Sequence, residues 1–318
     1  MTPVEVERLF YLQPILNDML KTLKRIGILG VSCIFYLVVS TWNTLRWISG
    51  RVVHGTGVVL YYHSVPVESR ASFAWQMDML LDLTRPVPAD ACVRPDRGER
   101  YAAVTFDDGF QDVIDNALPE LLSRNIPVTL FIVADALGKM SDWHDGGLSE
   151  YYSTQVMDEI TLKSLPGELV TIGSQTLTHR KVTLLSDAEA WAETYGSRLK
   201  LERILRREVK LFSFPEGEFN EKLVSCCQMA GYSRVFTIVP SLAFRDPREF
   251  VRGRILARPT DWPLEFRLKL LGAYCWLPVG SAIKRKMISN SIVRGVSALL
   301  SSATQRTWHR RDKWHRSV

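Results

Sequence analysis

The 318-residue sequence has little cysteine and uses it without pattern. Cys33, Cys92, Cys226, Cys227 and Cys275 show no metal-type spacing, and an odd, scattered set argues against a disulfide framework. Internal repeats and low-complexity segments are also missing, so nothing points to a solenoid or a fibrous chain. Histidine is scarce: His54, His63, His144, His179, His309 and His315 are the whole set, and none falls between His179 and His309. A composition of 46% hydrophobic and 23% charged residues excludes global disorder, and 36.2 kDa can bury a large core as one domain with extensions or as two small ones.

Charge and hydropathy are unevenly spread. Residues 263–318 hold eleven Lys and Arg against Glu265 and Asp312, while the rest of the chain is net negative. Such a basic segment can meet an anionic surface or stand as a solvated extension; Trp308 and Trp314 favour a membrane interface over nucleic acid, because indoles settle among headgroups. From Ile26 to Leu45 the sequence reads IGILGVSCIFYLVVSTWNTL, twenty residues without a charge, long enough to cross a bilayer. Lys21, Lys24 and Arg25 precede it and Arg46 and Arg51 follow, so flanking charge sets no orientation. A cleaved signal peptide fits less well, since the run begins late and has no clear small-residue cleavage site, and a helix lying in the membrane interface is the alternative to a spanning anchor. We expect three parts: residues 1–50 with a membrane-anchor helix at 26–45, a catalytic-type domain at 51–262, and a basic helical extension at 263–318.

Between these extensions, short apolar runs alternate with helical periodicity. Strand-like segments begin near Gly57, Tyr101, Pro127, Val170, Leu211, Arg234 and Val251. Helical patterns cover 71–83, 111–125, 155–165, 187–205 and the stretch from Asn220 to Tyr232. The alternation predicts parallel strands joined by helical crossovers, as a barrel or an open doubly wound sheet. In either architecture Asp107, Asp108, Gln175, His179 and Pro215 fall at carboxyl ends of strands, where parallel α/β folds place their sites.

Three of these strand ends carry chemistry. In TFDDGF, adjacent carboxylates point in different directions, so one can bind a cation while the other takes a proton; the same pair could cap the next helix. His179, with a carboxylate nearby, suits a divalent cation such as zinc, though a lone histidine is also a common structural residue. In FSFPEGEFN, a Pro–Gly turn could aim backbone N–H groups at an oxyanion, or serve as an ordinary loop.

Taken in order, LYYHSV, FAWQMDMLLDL, TFDDGF, GSQTLTH and FSFPEGEFN resemble the polysaccharide deacetylase family, the NodB-homology domain of carbohydrate esterase family 4, and its exopolysaccharide-associated branch, over roughly Gly57 to Trp276. The resemblance implies a distorted (β/α) barrel with fewer than eight repeats that hydrolyses N-acetyl groups on an amino-sugar polymer of the bacterial cell envelope, at the inner membrane. It implies Asp107 as general base, Asp108 and His179 as zinc ligands, and backbone at Glu216 beside Pro215 in the oxyanion hole. His63 is the candidate general acid, and Arg252 and Arg254 are candidates to orient Asp107.

Three departures stand out. The late-strand histidine that many family members use as general acid has no counterpart between His179 and His309, so His63 either takes that role or is structural. Gln175 occupies the place of the family's other histidine ligand, and a neutral amide oxygen is a much poorer zinc ligand than imidazole. Glu216 stands where an aromatic is usual and could repel an oxyanion. Three readings follow: a metal-dependent deacetylase with Gln175 as a poor ligand, an impaired relative that binds glycan or supports a biosynthetic complex, and an amide hydrolase without a tightly held metal.

Overall fold

The structure, a computed structural model, describes residues 3–143 and 154–278, with side chains from residue 16. His144, the loop that follows it, and most of the basic segment with Trp308 and Trp314 lie outside the described residues. In chain order the elements are α1 (Pro3–Ile48), β1 (Thr56–Tyr62), α2 (Arg70–Leu83), β2 (Arg85–Pro86), β3 (Arg100–Phe106), α3 (Leu118–Ser123), β4 (Val128–Ile132), α4 (Glu159–Ser164) and β5 (Val170–Ser174). Then come α5 (Asp187–Leu205), β6 (Leu211–Ser213), α6 (Glu221–Met229), β7 (Arg234–Thr237), β8 (Val251–Gly253), β9 (Ile255–Leu256) and α7 (Pro263–Leu270).

Every pairing between these strands is parallel, in the order β8-β7-β6-β5-β4-β3-β1-β9. β8 and β9 are two halves of one extended segment around Arg254. The first half pairs with β7 and the second with β1, so this segment joins both edges and closes a barrel. Of the two architectures the sequence allowed, the barrel is the one formed, with fewer than eight staves. Strands such as β4, buried at all five positions, read as unbroken apolar runs because both faces are covered.

The helices form largely where the periodicity predicts. α5 starts at a capping box in which Ser186 accepts from the Glu189 N–H and Glu189 reaches back to Ser186. The stretch expected as one helix over 111–125 instead divides into a π-helical turn at Val113–Ala117 and the short α3. Pro119 has no N–H to return to Asp115, and the chain widens just before it.

The barrel interior is filled, not hollow. Val59, Tyr101, Ala103, Phe131, Leu211, Phe236 and Phe244 pack together with Val87 and Ala89 from the loop after β2, a segment with no periodic signal. Arg252, wholly buried, donates to the Ala89 carbonyl at 2.6 Å, lies over the Phe244 ring and pairs with Glu249 at 3.2 Å; Arg234 donates to the Asp90 carbonyl. These two arginines pin the loop into the barrel. α7 packs against α1, α2 and β1, and the compact unit it belongs to runs to Cys275, so the expected boundary at 262 falls inside that unit.

Candidate active site

At the carboxyl end of β3 the Asp107 N–H still donates to the Tyr62 carbonyl, continuing the ladder. The next residue leaves it. Asp108 takes φ 71° and Gly109 φ 73°, a left-handed pair that separates the two carboxylates. The positive φ favours glycine at 109, and a Cβ there would in addition press on the Ile132 Cδ1 methyl at 2.9 Å.

Asp107 turns into the barrel and meets Arg254. The guanidinium donates through Nη1 and Nη2 to the two carboxylate oxygens at 2.7 and 2.9 Å, a bidentate pair with both partners buried. Arg254 also donates to Ser213 Oγ at 2.7 Å and Thr105 Oγ1 at 3.2 Å, and Tyr61 and Phe131 present ring faces to it. Of the two arginines expected to orient Asp107, Arg254 does so. Arg252 does not: two residues earlier on the same inward face, it lies one layer deeper and serves the barrel loop.

Asp108 turns the other way, toward β5. Its Oδ1 lies 3.3 Å from His179 Nε2, and its backbone N–H donates to Gln175 Oε1 at 2.7 Å. That hydrogen bond fixes the orientation of the amide, and Gln175 Nε2 consequently faces His179 Nε2 at 3.3 Å. β5 can bring Gln175 this close because Gly173, two residues earlier, has no side chain: a Cβ there would come within 2.5 Å of the Phe131 ring.

The loop that carries His179 is held by a residue that sequence reading missed. Glu193, buried in α5, accepts from the Leu177 N–H at 3.0 Å, the Thr178 N–H at 2.9 Å and the Thr178 hydroxyl at 2.6 Å. Thr176 and His179 both take left-handed backbone, with the His179 N–H donating to Thr176 Oγ1. Strain of this kind persists only where its surroundings over-determine it. The signal in the sequence was a lone acidic residue on the inward face of a predicted helix.

On the opposite wall Pro215, Glu216 and Gly217 form a tight turn, with Glu216 at φ 53°. The Gly217 and Glu218 N–H groups are committed to the Phe214 and Pro215 carbonyls, which leaves the Glu216 N–H as the turn's candidate oxyanion donor. The Glu216 carboxylate pairs with Lys181 at 2.6 Å and raises that lysine's pKa, so its charge does not face an oxyanion uncompensated. His63, half-buried at the end of β1, has its ring edge-on to Tyr61. His63, Asp107, Asp108, Gln175, His179 and Glu216 all line one cleft of about 220 Å³, walled by Tyr61, Trp143, Phe214 and Ile238.

The polysaccharide deacetylase profile matches residues 94–235, which span both strand ends and the third-motif turn. Over that stretch the barrel is similar to the polysaccharide deacetylases. Among proteins of the family's kind, YxkH of Bacillus subtilis, named for polysaccharide deacetylation, is 23% identical over 212 residues, 63% of this chain and 71% of that one. The solved structure of IcaB from Ammonifex degensii superposes with a TM-score of 0.56 at 25% identity, covering 69% of this chain and 100% of that chain. The BpsB deacetylase domain from Bordetella bronchiseptica superposes at 0.50 with 18% identity, over 64% and 96%, a likeness of fold.

Deacetylases of this family are expected to hold a divalent metal, and here the donor set does not fit one held by three side chains. Among the described residues no three His, Cys, Asp or Glu side chains converge as a metal cluster. Asp108 and His179 supply two donors, but the Gln175 carbonyl oxygen is committed to the Asp108 N–H and its NH₂ group, which cannot ligate, faces His179. The expected poor ligand at Gln175 is, in this geometry, a hydrogen-bonding bridge.

Proposed function

We propose that the barrel hydrolyses the N-acetyl amide of an amino-sugar polysaccharide or oligosaccharide in the bacterial cell envelope, using residues of its own rather than a three-ligand zinc. The observation that carries this reading is the buried, bidentate Arg254–Asp107 pair at the edge of the cleft. Arg254 fixes the position of a carboxylate that reaches the cleft, as a base needs. In this reading Asp107 takes the proton of an attacking water as its oxygen adds to the amide carbon. The Glu216 N–H meets the oxyanion that forms. Collapse breaks the carbon–nitrogen bond, and His63 gives its proton to the departing amine. Membrane association comes from the apolar helix and, as a further expectation, from the basic segment.

The test is acetate release from chitooligosaccharide and poly-N-acetylglucosamine by the full-length protein, with and without added zinc, cobalt or nickel. Release is expected in chelator, with little gain from metal. Absence of acetate under every condition overturns the reading.

A second reading has its own observation. The Gln175 bridge ties Asp108 to His179 by hydrogen bonds alone, which favours a relative that binds glycan without turning it over. Saturable glycan binding with no acetate release is its signature.

A further inference from the structure

α1 is long and apolar enough to cross a bilayer: within Leu16–Ile48 an 18-residue window reaches a mean hydropathy of 1.7. Its two faces differ sharply. Leu16, Leu20, Leu23, Ile34, Val38 and Leu45 are each more than half exposed and, at steps of 4, 3, 11, 4 and 7 residues, lie along one side of the helix. On the opposite side Arg25, Tyr36 and Asn43 are half-buried and Ser32 is wholly buried.

Contacts with the barrel body hold the helix at two distant points. Arg25 pairs with Glu265 at 2.5 Å, donates to the Thr260 carbonyl at 2.8 Å and lies 4.2 Å from the Trp262 ring. Glu265 in turn pairs with the buried Lys269, which holds Asp261 at 2.6 Å. This clasp sits just beyond the carboxyl end of β9, on the rim that carries the cleft. At the other end Arg97 lies 3.7 Å from the Trp47 ring, in the loop that meets the chain as it enters β1. Between Arg25 and Trp47 a helix advances about 33 Å at ~1.5 Å per residue. That is about the full thickness of a bilayer's hydrocarbon core, ~30 Å.

A helix clasped at both ends to the flank of a water-soluble barrel cannot cross a bilayer without drawing that flank into hydrocarbon. We infer that α1 stays on the barrel and lies in the membrane plane, presenting its Leu16–Leu45 stripe to a lipid bilayer with anionic headgroups. Lys21, Lys24, Arg46 and Arg51 at its ends match such a surface in charge, and Trp42 is placed to sit among headgroups. The barrel axis then runs along the membrane, and the cleft rim, level with Arg25, opens beside the lipid surface rather than away from it.

The experiment uses the full chain reconstituted in vesicles of phosphatidylcholine with phosphatidylglycerol. Lys21→Cys and Arg51→Cys, at the two ends of the helix, are labelled with a membrane-impermeant maleimide and mapped by peptide mass, with native Cys92 on the barrel marking the barrel's side. Labelling of both ends on the same side as Cys92 is expected. Protection of one end until the vesicles are opened means a spanning helix and overturns the inference. In flotation, Leu20→Glu with Val38→Glu is expected to weaken vesicle binding at least tenfold while melting stays unchanged. Equal binding by that variant, or a vesicle-free dimer through the stripe, also overturns it. Arg25→Ala keeps the stripe and opens one clasp, and converts same-side labelling of the helix ends to a mixture.

Discussion

The two halves of the cleft are built on opposite principles. On the β3 side, Asp107 meets a full positive charge in bidentate geometry, and Arg254 is itself saturated by Ser213, Thr105 and two aromatic faces. On the β5 side, Asp108 and His179 approach each other at 3.3 Å with a neutral amide bridging them. The first half is a charge held rigidly in one place, which is what proton abstraction requires. The second supplies a carboxylate and an imidazole on a loop whose shape depends on Glu193. The two halves are anchored by different strands and different partners, so a substitution in one need not disturb the other.

The largest way to break the contrast is Arg254→Ala. It leaves a buried carboxylate without its partner, and losing one member of a buried pair costs about 3–5 kcal/mol. Chemical unfolding should show that loss, together with abolished hydrolysis, whereas a variant that melts normally would mean Asp107 is neutralised in some other way.

Glu193→Ala tests the other half. It removes the acceptor of three hydrogen bonds to the His179 loop, each to a charged group, and about 3 kcal/mol is expected once the loop relaxes. Glu193→Gln should retain part of this, because its carbonyl oxygen can still accept from the loop N–H groups.

Gln175→His acts on the bridge itself. The Asp108 N–H loses its acceptor, worth about 1–2 kcal/mol for a buried donor, while a third metal-competent side chain enters the cleft. Calorimetric zinc titration should then show at least tenfold tighter binding than the natural protein. Equal zinc affinity in the two proteins would show that Gln175 already serves as a ligand.

The smallest effect is a matter of pH. Asp112, in the first helical turn after Asp107 and Asp108, has Ser64 as a hydrogen-bond partner, and burial raises its pKa above the ordinary 3.8. A carboxyl raised in the folded state is bound to more protons folded than unfolded in the window just above 3.8, so its contribution favours folding at the acid end and is lost as pH rises through the folded value. Asp112→Asn should flatten that part of the stability–pH curve and leave the protein slightly more stable near neutrality. An unchanged slope would mean that Asp112 titrates as an exposed carboxyl does.

Much of this was readable in the chain. Apolar runs and helical periodicity mark the strands and helices, and put DD, Gln175, His179 and the Pro–Glu–Gly turn at strand ends. Period-2 and period-3.6 signals survive because they report which face of each element is buried. The segment from 84 to 99 carried no such signal, yet its Val87 and Ala89 help fill the barrel interior. A loop inserted among strands has no period to show.

The sequence alone determined the family pattern, the alternation of elements, and the oddity of Gln175 and Glu216, since these depend on residue type and order. Only the tertiary structure decided between barrel and open sheet, because β8 and β9 pair with strands at opposite edges. It also separated Arg254 from Arg252, two residues apart on one face, by layer depth. It paired Glu216 with Lys181 and turned the Gln175 oxygen to the Asp108 N–H. Each of these depends on which distant atoms meet, and residue order by itself does not contain that distance.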